Sequence, residues 1–318
     1  MIPSVRLLIM CSFFLQSTVH AFPPSASSPR PTASPQREII ETSDSPIDFA
    51  DAQLKAAGLP PDFIHQIHTS FLTKKNKNWT EQVTKITELN VFGFLAQSDY
   101  FAQDSPLAQK KIKQYLKGHR KTFLTCKKKY SVSPSAIASL LWVETKHGKT
   151  IGTYPMPFVF YALVMGSHPS FVHSMLSELP DRIAKSNPKG LALAAAQEKV
   201  IERCNSKAEW AIEELKAIQY IQAEHDFNPF RKKASFAGAF GIAQFIPSSY
   251  LKFAISGFRK KPDLFKHSDA ILSVAHFLKV NGWRDEDAEL QAQALYSYNR
   301  SKDYGAVILK LAREVEAN

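Results

Sequence analysis

From residue 46 onward, apolar side chains recur every three or four positions and alternating runs are scarce, which predicts helices rather than strands. Leu107, Ile112 and Leu116 mark one helix, and Trp210, Leu215, Ile218 and Ile221 a second. Ile271, Val274, Ala275 and Leu278 mark a third, with Ser268 and Asp269 as cap candidates and Gly282 where it could stop. Val307, Leu311 and Val315 place a fourth at the C-terminal end. Residues 133–148 form the sharpest local pattern: Ser133 can cap, Pro134 suits the first helical position, and Gly148 suits the exit. The stretch 165–208 is polar and carries Pro169, Pro180 and Pro188, which predicts an insertion of short helices and loops. The expected fold class is mainly α.

The N-terminus departs from this pattern. Arg6 precedes the apolar run Leu7 to Leu15, and Val19-His20-Ala21 follows as a small-residue cleavage signal, so residues 1–21 read as a secretory signal peptide. The run is too short to span a bilayer, and Met10 before Cys11 argues against a lipid anchor, so no stable membrane anchor is expected. Residues 22–45 are rich in proline and serine and read as a flexible linker. The working domain is then 46–318, and a periplasmic location is expected. Cleavage would leave Cys126 and Cys204, which could pair in an oxidising compartment or stay as two buried thiols.

The chain of 318 residues is long enough for a sizeable core, and its balance of 44% apolar and 22% charged residues excludes a wholly disordered chain. The formal charge of +11 points to anionic partners: nucleic acid, lipid or an acidic wall polymer.

Three segments carry candidate chemistry. Glu144 lies seven residues after Ile137, on the face shared with Leu140 and Leu141. Burial there would raise its pKa and keep it protonated nearer neutrality, as a general acid requires. The same spacing fits a structural Glu paired with His147 or a distant lysine. The segment 234–250 is rich in small residues, which allow close backbone approach, and offers Ser235 and Gln244 as hydrogen-bonding groups. It equally fits a tight helix-packing segment. Tyr298 and Asn299, with Tyr304, suit a sugar's apolar face and polar rim, and Asn299 equally fits a helix terminus.

In this order the motifs VETKHGKTIG (143–152), ASFAGAFGIAQFIPSSYLKFA (234–254), SDAILSVAHFLKVNGW (268–283) and YNRSKDY (298–304) resemble the membrane-bound lytic transglycosylase B family, lysozyme-like peptidoglycan lyases. The resemblance covers most of residues 130–310. It implies a substrate cleft between helices and a catalytic glutamate at Glu144. It also implies substrate-binding roles for Ser235, Gln244, Tyr298, Asn299 and Tyr304. The implied reaction cleaves the β-1,4 bond between N-acetylmuramic acid and N-acetylglucosamine in peptidoglycan glycan strands, with no cofactor. One carboxyl would act first as acid and then as base, giving a 1,6-anhydro ring.

Two features depart from the family. Residues 256–264 lack the oxygen ligands of a calcium loop found in many members, so no metal is expected. Arg300 stands where a histidine is usual after Tyr-Asn.

Three other readings compete. A muramidase of the same fold would need a second carboxylate, for which Glu213, Glu214, Glu224 and Asp226 are candidates. A non-catalytic wall-binding protein conflicts with the intact Glu144, Gln244 and Tyr298-Asn299 set. Nucleic-acid binding fits the charge and Lys127-Lys128-Lys129 but conflicts with the signal peptide, so no nucleic-acid partner is expected. Association with cell-wall synthesis or secretion machinery is left open.

Overall fold

A computed structural model describes residues 45–73, 78–96, 98–225, 227–257 and 261–317. The expected signal peptide, Cys11, all but the last residue of the expected linker, and Asp226 lie outside them.

The described chain is mainly α, with thirteen α-helices. The first three, α1 (Pro46–Ala56), α2 (Pro61–Phe71) and α3 (Trp79–Val91), lead through α4 (Pro106–Gly118) and α5 (Arg120–Tyr130) to α6 (Pro134–Thr145). Then come α7 (Met156–Met165), α8 (Pro169–Lys185) and α9 (Leu193–Glu224). The last four are α10 (Pro247–Phe253), α11 (His267–Val280), α12 (Ala288–Tyr298) and α13 (Lys302–Ala317). A single antiparallel pair, β1 (Tyr154–Pro155) and β2 (Lys233–Ala234), is the only sheet among the described residues.

Three helices start on the same local device. Ser45, Ser105 and Ser133 each accept a hydrogen bond from a first-turn backbone N–H, and each is followed by proline. The serine satisfies one orphan donor, and the proline has none to lose.

Two helices form the centre. Every residue of α6 from Ser135 to Thr145 is buried, and so is every residue of α7. A helix apolar all round must be enclosed by others. α6 is enclosed by α4, α5, α11 and α13, while α1, α3 and the long α9 pack on α7. The predicted stripe of Ile137, Leu140 and Leu141 is therefore part of an all-round apolar surface.

Other sequence expectations need correction. Residues 165–208 are not an insertion of short pieces. They hold the 17-residue α8 and the first part of α9, a continuous helix of 32 residues. Pro169 stands at the start of α8, Pro180 is tolerated inside it, and Pro188 falls in the short connection. Met175, Leu179, Ala196, Val200 and Cys204 form a second core there with Val91, Phe92, Phe94 and Leu95.

Of the two readings of Cys126 and Cys204, the structure has the buried thiols: both are free and belong to separate cores. Burial pushes each thiol up to about 12. Ser268 and Asp269 do not cap α11, which begins at His267. Buried Asp269 instead accepts from Ser256 Oγ and the Asp263 N–H at 2.9 Å, holding Ser256 and Asp263 against the start of α11. Leu107 opens α4 but is exposed, because the buried face runs through Ala108, Ile112 and Tyr115.

Candidate functional site

Glu144 sits in the last turn of α6. The helix ends on Lys146, not Gly148: Lys146, His147 and Gly148 all have positive φ. Two such residues without glycine are unusual and are held by contacts on both sides. The Lys146 N–H bonds the Trp142 carbonyl at 2.9 Å, and the Gly148 N–H bonds Thr145 Oγ1 at 2.8 Å. Thr145 Oγ1 in turn donates to the Ile242 carbonyl at 2.9 Å, tying the helix end to the 234–246 loop.

The reversal sends the two side chains apart. His147 turns away from Glu144, places Nε2 2.9 Å from the Ala138 carbonyl and stacks on Tyr115 at 3.8 Å. The charge that acts on Glu144 belongs to Lys146.

Glu144 is only 6% exposed. Its Oε1 accepts from the Tyr304 hydroxyl at 2.5 Å, across 160 positions of sequence. Burial pushes the carboxyl up to about 7, and the Tyr304 hydrogen bond and the Lys146 charge hold it from going further. Burial pulls Lys146 down to about 8, against the attraction of Glu144. Tyr298 and Tyr304 are raised well above the ordinary phenol range by burial and by the Glu144 charge, so both stay neutral donors. A carboxyl poised near neutrality can give up a proton and take one back, which is the requirement for acid and base work by one group.

The predicted residues meet here in two layers. Tyr304 opens α13 and touches the carboxylate, and Tyr298 ends α12 with its ring 6.3 Å from that of Tyr304. The Tyr298 hydroxyl is spent on the Ala243 carbonyl, anchoring α12 to the loop that carries Gln244. Asn299, buried at the C-cap of α12, donates to the Tyr100 hydroxyl at 3.4 Å.

Ser235 and Gln244 frame the loop. Ser235 Oγ accepts from the Ala239 N–H at 3.2 Å, and Gln244 Nε2 donates to the Gly241 carbonyl at 2.8 Å from a left-handed backbone of φ 52°. The loop needs its glycines. A Cβ on Gly241, at φ 73°, would lie 2.5 Å from Leu264 Cβ. Among the described residues, neither Ser235 nor Gln244 bonds Glu144 directly.

Tyr100 is the residue sequence reasoning missed. Its ring meets Tyr304 edge-on at 5.6 Å, and its hydroxyl accepts from Asn299. The short 3₁₀ turn Phe101–Gln103 follows, and Gln103 accepts a hydrogen bond from the Lys146 ammonium. Residues 100–103 thus touch Tyr304, Asn299 and Lys146, which surround the carboxylate, from a distant part of the chain. No local motif marks them.

Of the four candidates for a second carboxylate, Glu213 and Glu214 are engaged elsewhere and Asp226 lies outside the described residues. Glu214 is buried and accepts from the Ser248 N–H at 2.9 Å and the Ser248 hydroxyl at 2.7 Å, satisfying the start of α10. Glu213 pairs with Lys216 at 2.8 Å, and Glu224 is exposed. Among the described residues no group of three or more His, Cys, Asp or Glu side chains could hold a metal. No described helix is long and apolar enough to cross a membrane.

Comparison with known proteins agrees with this fold. Over 79 residues the chain is 39% identical to the membrane-bound lytic murein transglycosylase B of Escherichia coli (strain K12), a match covering 24% of this chain and 22% of that relative. The match therefore spans about a fifth of the curated relative's length.

Solved structures share the fold at low identity. SltB3 from Pseudomonas aeruginosa, solved in complex with NAG-anhNAM-pentapeptide, matches with TM-score 0.61 at 16% identity, covering 86% of this chain and 80% of that one. The soluble lytic transglycosylase SltB1 from the same organism matches with TM-score 0.55 at 18% identity, covering 85% and 97%. The Escherichia coli lytic transglycosylase Slt35, solved in complex with bulgecin A, matches with TM-score 0.55 at 17% identity, covering 87% and 95%. The model of the transglycosylase SLT domain family matches residues 45–293, most of the chain, and this establishes that the chain belongs to that family.

Proposed function

We propose that this protein is a peptidoglycan lytic transglycosylase that cleaves the bond between N-acetylmuramic acid and N-acetylglucosamine, with Glu144 as its single acid and base. The observation that carries the reading is the Glu144 carboxyl, buried, held by Tyr304 at 2.5 Å and poised near neutrality.

In the first step the protonated carboxyl gives its proton to the glycosidic oxygen as the C1–O bond breaks, and the N-acetylglucosamine end leaves as an alcohol. In the second, the Glu144 carboxylate takes the proton of the muramyl C6 hydroxyl, whose oxygen bonds to C1. The 1,6-anhydro ring closes, Glu144 regains its proton, and no water is consumed. Proton transfer by one placed group is worth about 10²–10⁴ in rate. Tyr304 holds the carboxyl in place through both steps. Ser235, Gln244, Tyr298 and Asn299 shape the loop and helix end against which the sugar rings would be oriented.

The engagement of Glu214 with α10 and of Glu213 with Lys216 favours this route over hydrolysis, which needs a second carboxylate to direct water. The charge of +11 suits an anionic wall, and the N-terminal pattern suits export to the periplasm.

The test incubates the full chain with purified sacculi and reads the soluble products by mass spectrometry, beside a Glu144→Gln control. Muropeptides one water lighter than hydrolysis products, absent from the control, are expected. Products with ordinary reducing ends would replace the reading with a muramidase. Binding without products would replace it with a wall-binding protein.

A further inference from the structure

A pocket of about 310 Å³ lies between α4, the start of α5, the exit of α6 and the start of α11. Its wall carries three lysines, Lys111, Lys146 and Lys149, and three histidines, His119, His147 and His267, and no acidic side chain. Aromatic rings make its floor. Tyr115 stacks on His147 and places its hydroxyl 2.9 Å from His267 Nδ1, and His119 stacks on His267 at 4.8 Å.

Lys146 is answered by Glu144 from outside the wall, and the rest of the positive charge has no acidic partner in it. Lys149 and the His119 ring make no hydrogen bond or ion pair among the described residues. The Lys111 ammonium reaches only the neutral amide of Gln114, at 3.2 Å. Trp142, also in the wall and only 8% exposed, has an indole N–H with no acceptor. Burial lowers all three histidines, and His147, held down to about 4, is lowered further by its neighbours His119, His267 and Lys146. The lowered histidines stay neutral near pH 7, so the positive charge of the pocket is that of Lys111, Lys146 and Lys149, and an anion placed among these lysines relieves their mutual repulsion.

The pocket also has an address. Lys146 belongs to its wall, and the same ammonium acts on Glu144, two residues earlier in the chain. An anion held there lies beside the cleavage centre. At the small end of the roughly 300–1,000 Å³ range of ligand pockets, the volume suits one short charged segment rather than a run of sugar rings.

We propose that this pocket binds a carboxylate of the stem peptide carried by the substrate strand, with Lys149, Lys111 and His119 as its open contacts and the Tyr115–His147 stack against the peptide's aliphatic part. The proposal rests on the transglycosylase reading for the identity of the strand. The lactyl carboxylate exposed when peptides are removed is the other source of the same chemistry.

The experiment measures binding of a disaccharide stem-peptide muropeptide, and of a glycan oligomer stripped of peptide by an amidase, to the full chain carrying Glu144→Gln. Lys149→Glu and His119→Ala are compared with Lys189→Glu, an exposed charge reversal that is not part of the pocket wall. Lys149→Glu is expected to weaken the muropeptide about three- to tenfold, the scale of one partly exposed charged contact. His119→Ala should weaken it about twofold or more, and Lys189→Glu by less than about twofold. Melting temperatures check that each variant folds.

Equal effects of Lys149→Glu and Lys189→Glu, or none, would overturn the site. A loss of equal size on the stripped oligomer would overturn the stem-peptide assignment in favour of the lactyl carboxylate. Product analysis with Glu144 intact is read separately. Absence of anhydro products beside a Lys149-dependent muropeptide affinity removes the transglycosylase reading and leaves the pocket standing. The opposite result removes the pocket alone.

Discussion

Replacing Glu144 by Gln should stabilise the protein, and by an amount that depends on pH. The carboxyl is buried inside α6 and carries a pKa of about 7 against an ordinary 4.5. Gln keeps the shape and an oxygen to accept from Tyr304, and removes the charge. The sign follows from linkage. A carboxyl whose folded pKa is raised binds more protons in the native state, so native stability is complete below about 4.5 and falls as pH rises toward about 7.

At 1.36 kcal/mol per pH unit, the ionised form costs about 3 kcal/mol at pH 7.5, less than about 1 at pH 5, and nearly nothing at pH 4. At pH 7.5 Lys146, near 8, is still mostly an ammonium in the wild type, so the Glu144 titration dominates the difference. Glu214, also raised to about 7 by burial, is present in both proteins and cancels in their difference. Urea unfolding of wild type and variant at pH 4, 5 and 7.5 gives the comparison. The variant should gain about 3 kcal/mol on the wild type between pH 4 and 7.5, whatever constant offset the amide brings. A difference that does not change with pH would mean that Glu144 titrates like a solvated carboxylate. The acid role drawn from its burial would then fail.

Two further outcomes follow from single contacts. Tyr304→Phe removes the hydroxyl that holds the Glu144 pKa down, so the alkaline limb of the pH–rate profile, expected near 7, should move up by roughly one unit while the maximal rate falls about tenfold. An unmoved limb would show that the 2.5 Å bond does not form in the working enzyme. Gly152→Ala should destabilise by about 3 kcal/mol in urea unfolding, because a Cβ there would meet the Ala234 backbone at 1.9 Å and part β1 from β2. A loss under about 0.5 kcal/mol would show that the strand pair adjusts freely.

Much of this was legible from residue order, where the interaction is local. Ser133-Pro134 starts α6 because a side chain and a missing N–H act within one turn, and the spacing from Ile137 to Glu144 places the carboxyl on a helix in any context. The apolar repeats of α4, α9, α11 and α13 follow from the same short-range geometry. The motifs around Glu144, Gln244 and Tyr298 are likewise contiguous, so the family could be read before any contact was known.

Reading failed where partners are far apart or where two local answers balance. Residues 165–208 look polar, yet they close a second core because Val91 to Leu95 supply its other half. Cys126 and Cys204 could close a loop by counting, but the packing places them in different cores.

The sequence by itself determined α4, α6, α11, α13 and the later part of α9, the order of the motifs and the position of the candidate acid, since each depends on groups within a turn or two. Tertiary structure decided how that acid behaves. Its burial, its hydrogen bond from Tyr304, the contact of Tyr100 with Tyr304 and the nearby charge of Lys146 arise from chains 2 to 160 residues apart meeting in a medium where water no longer screens them.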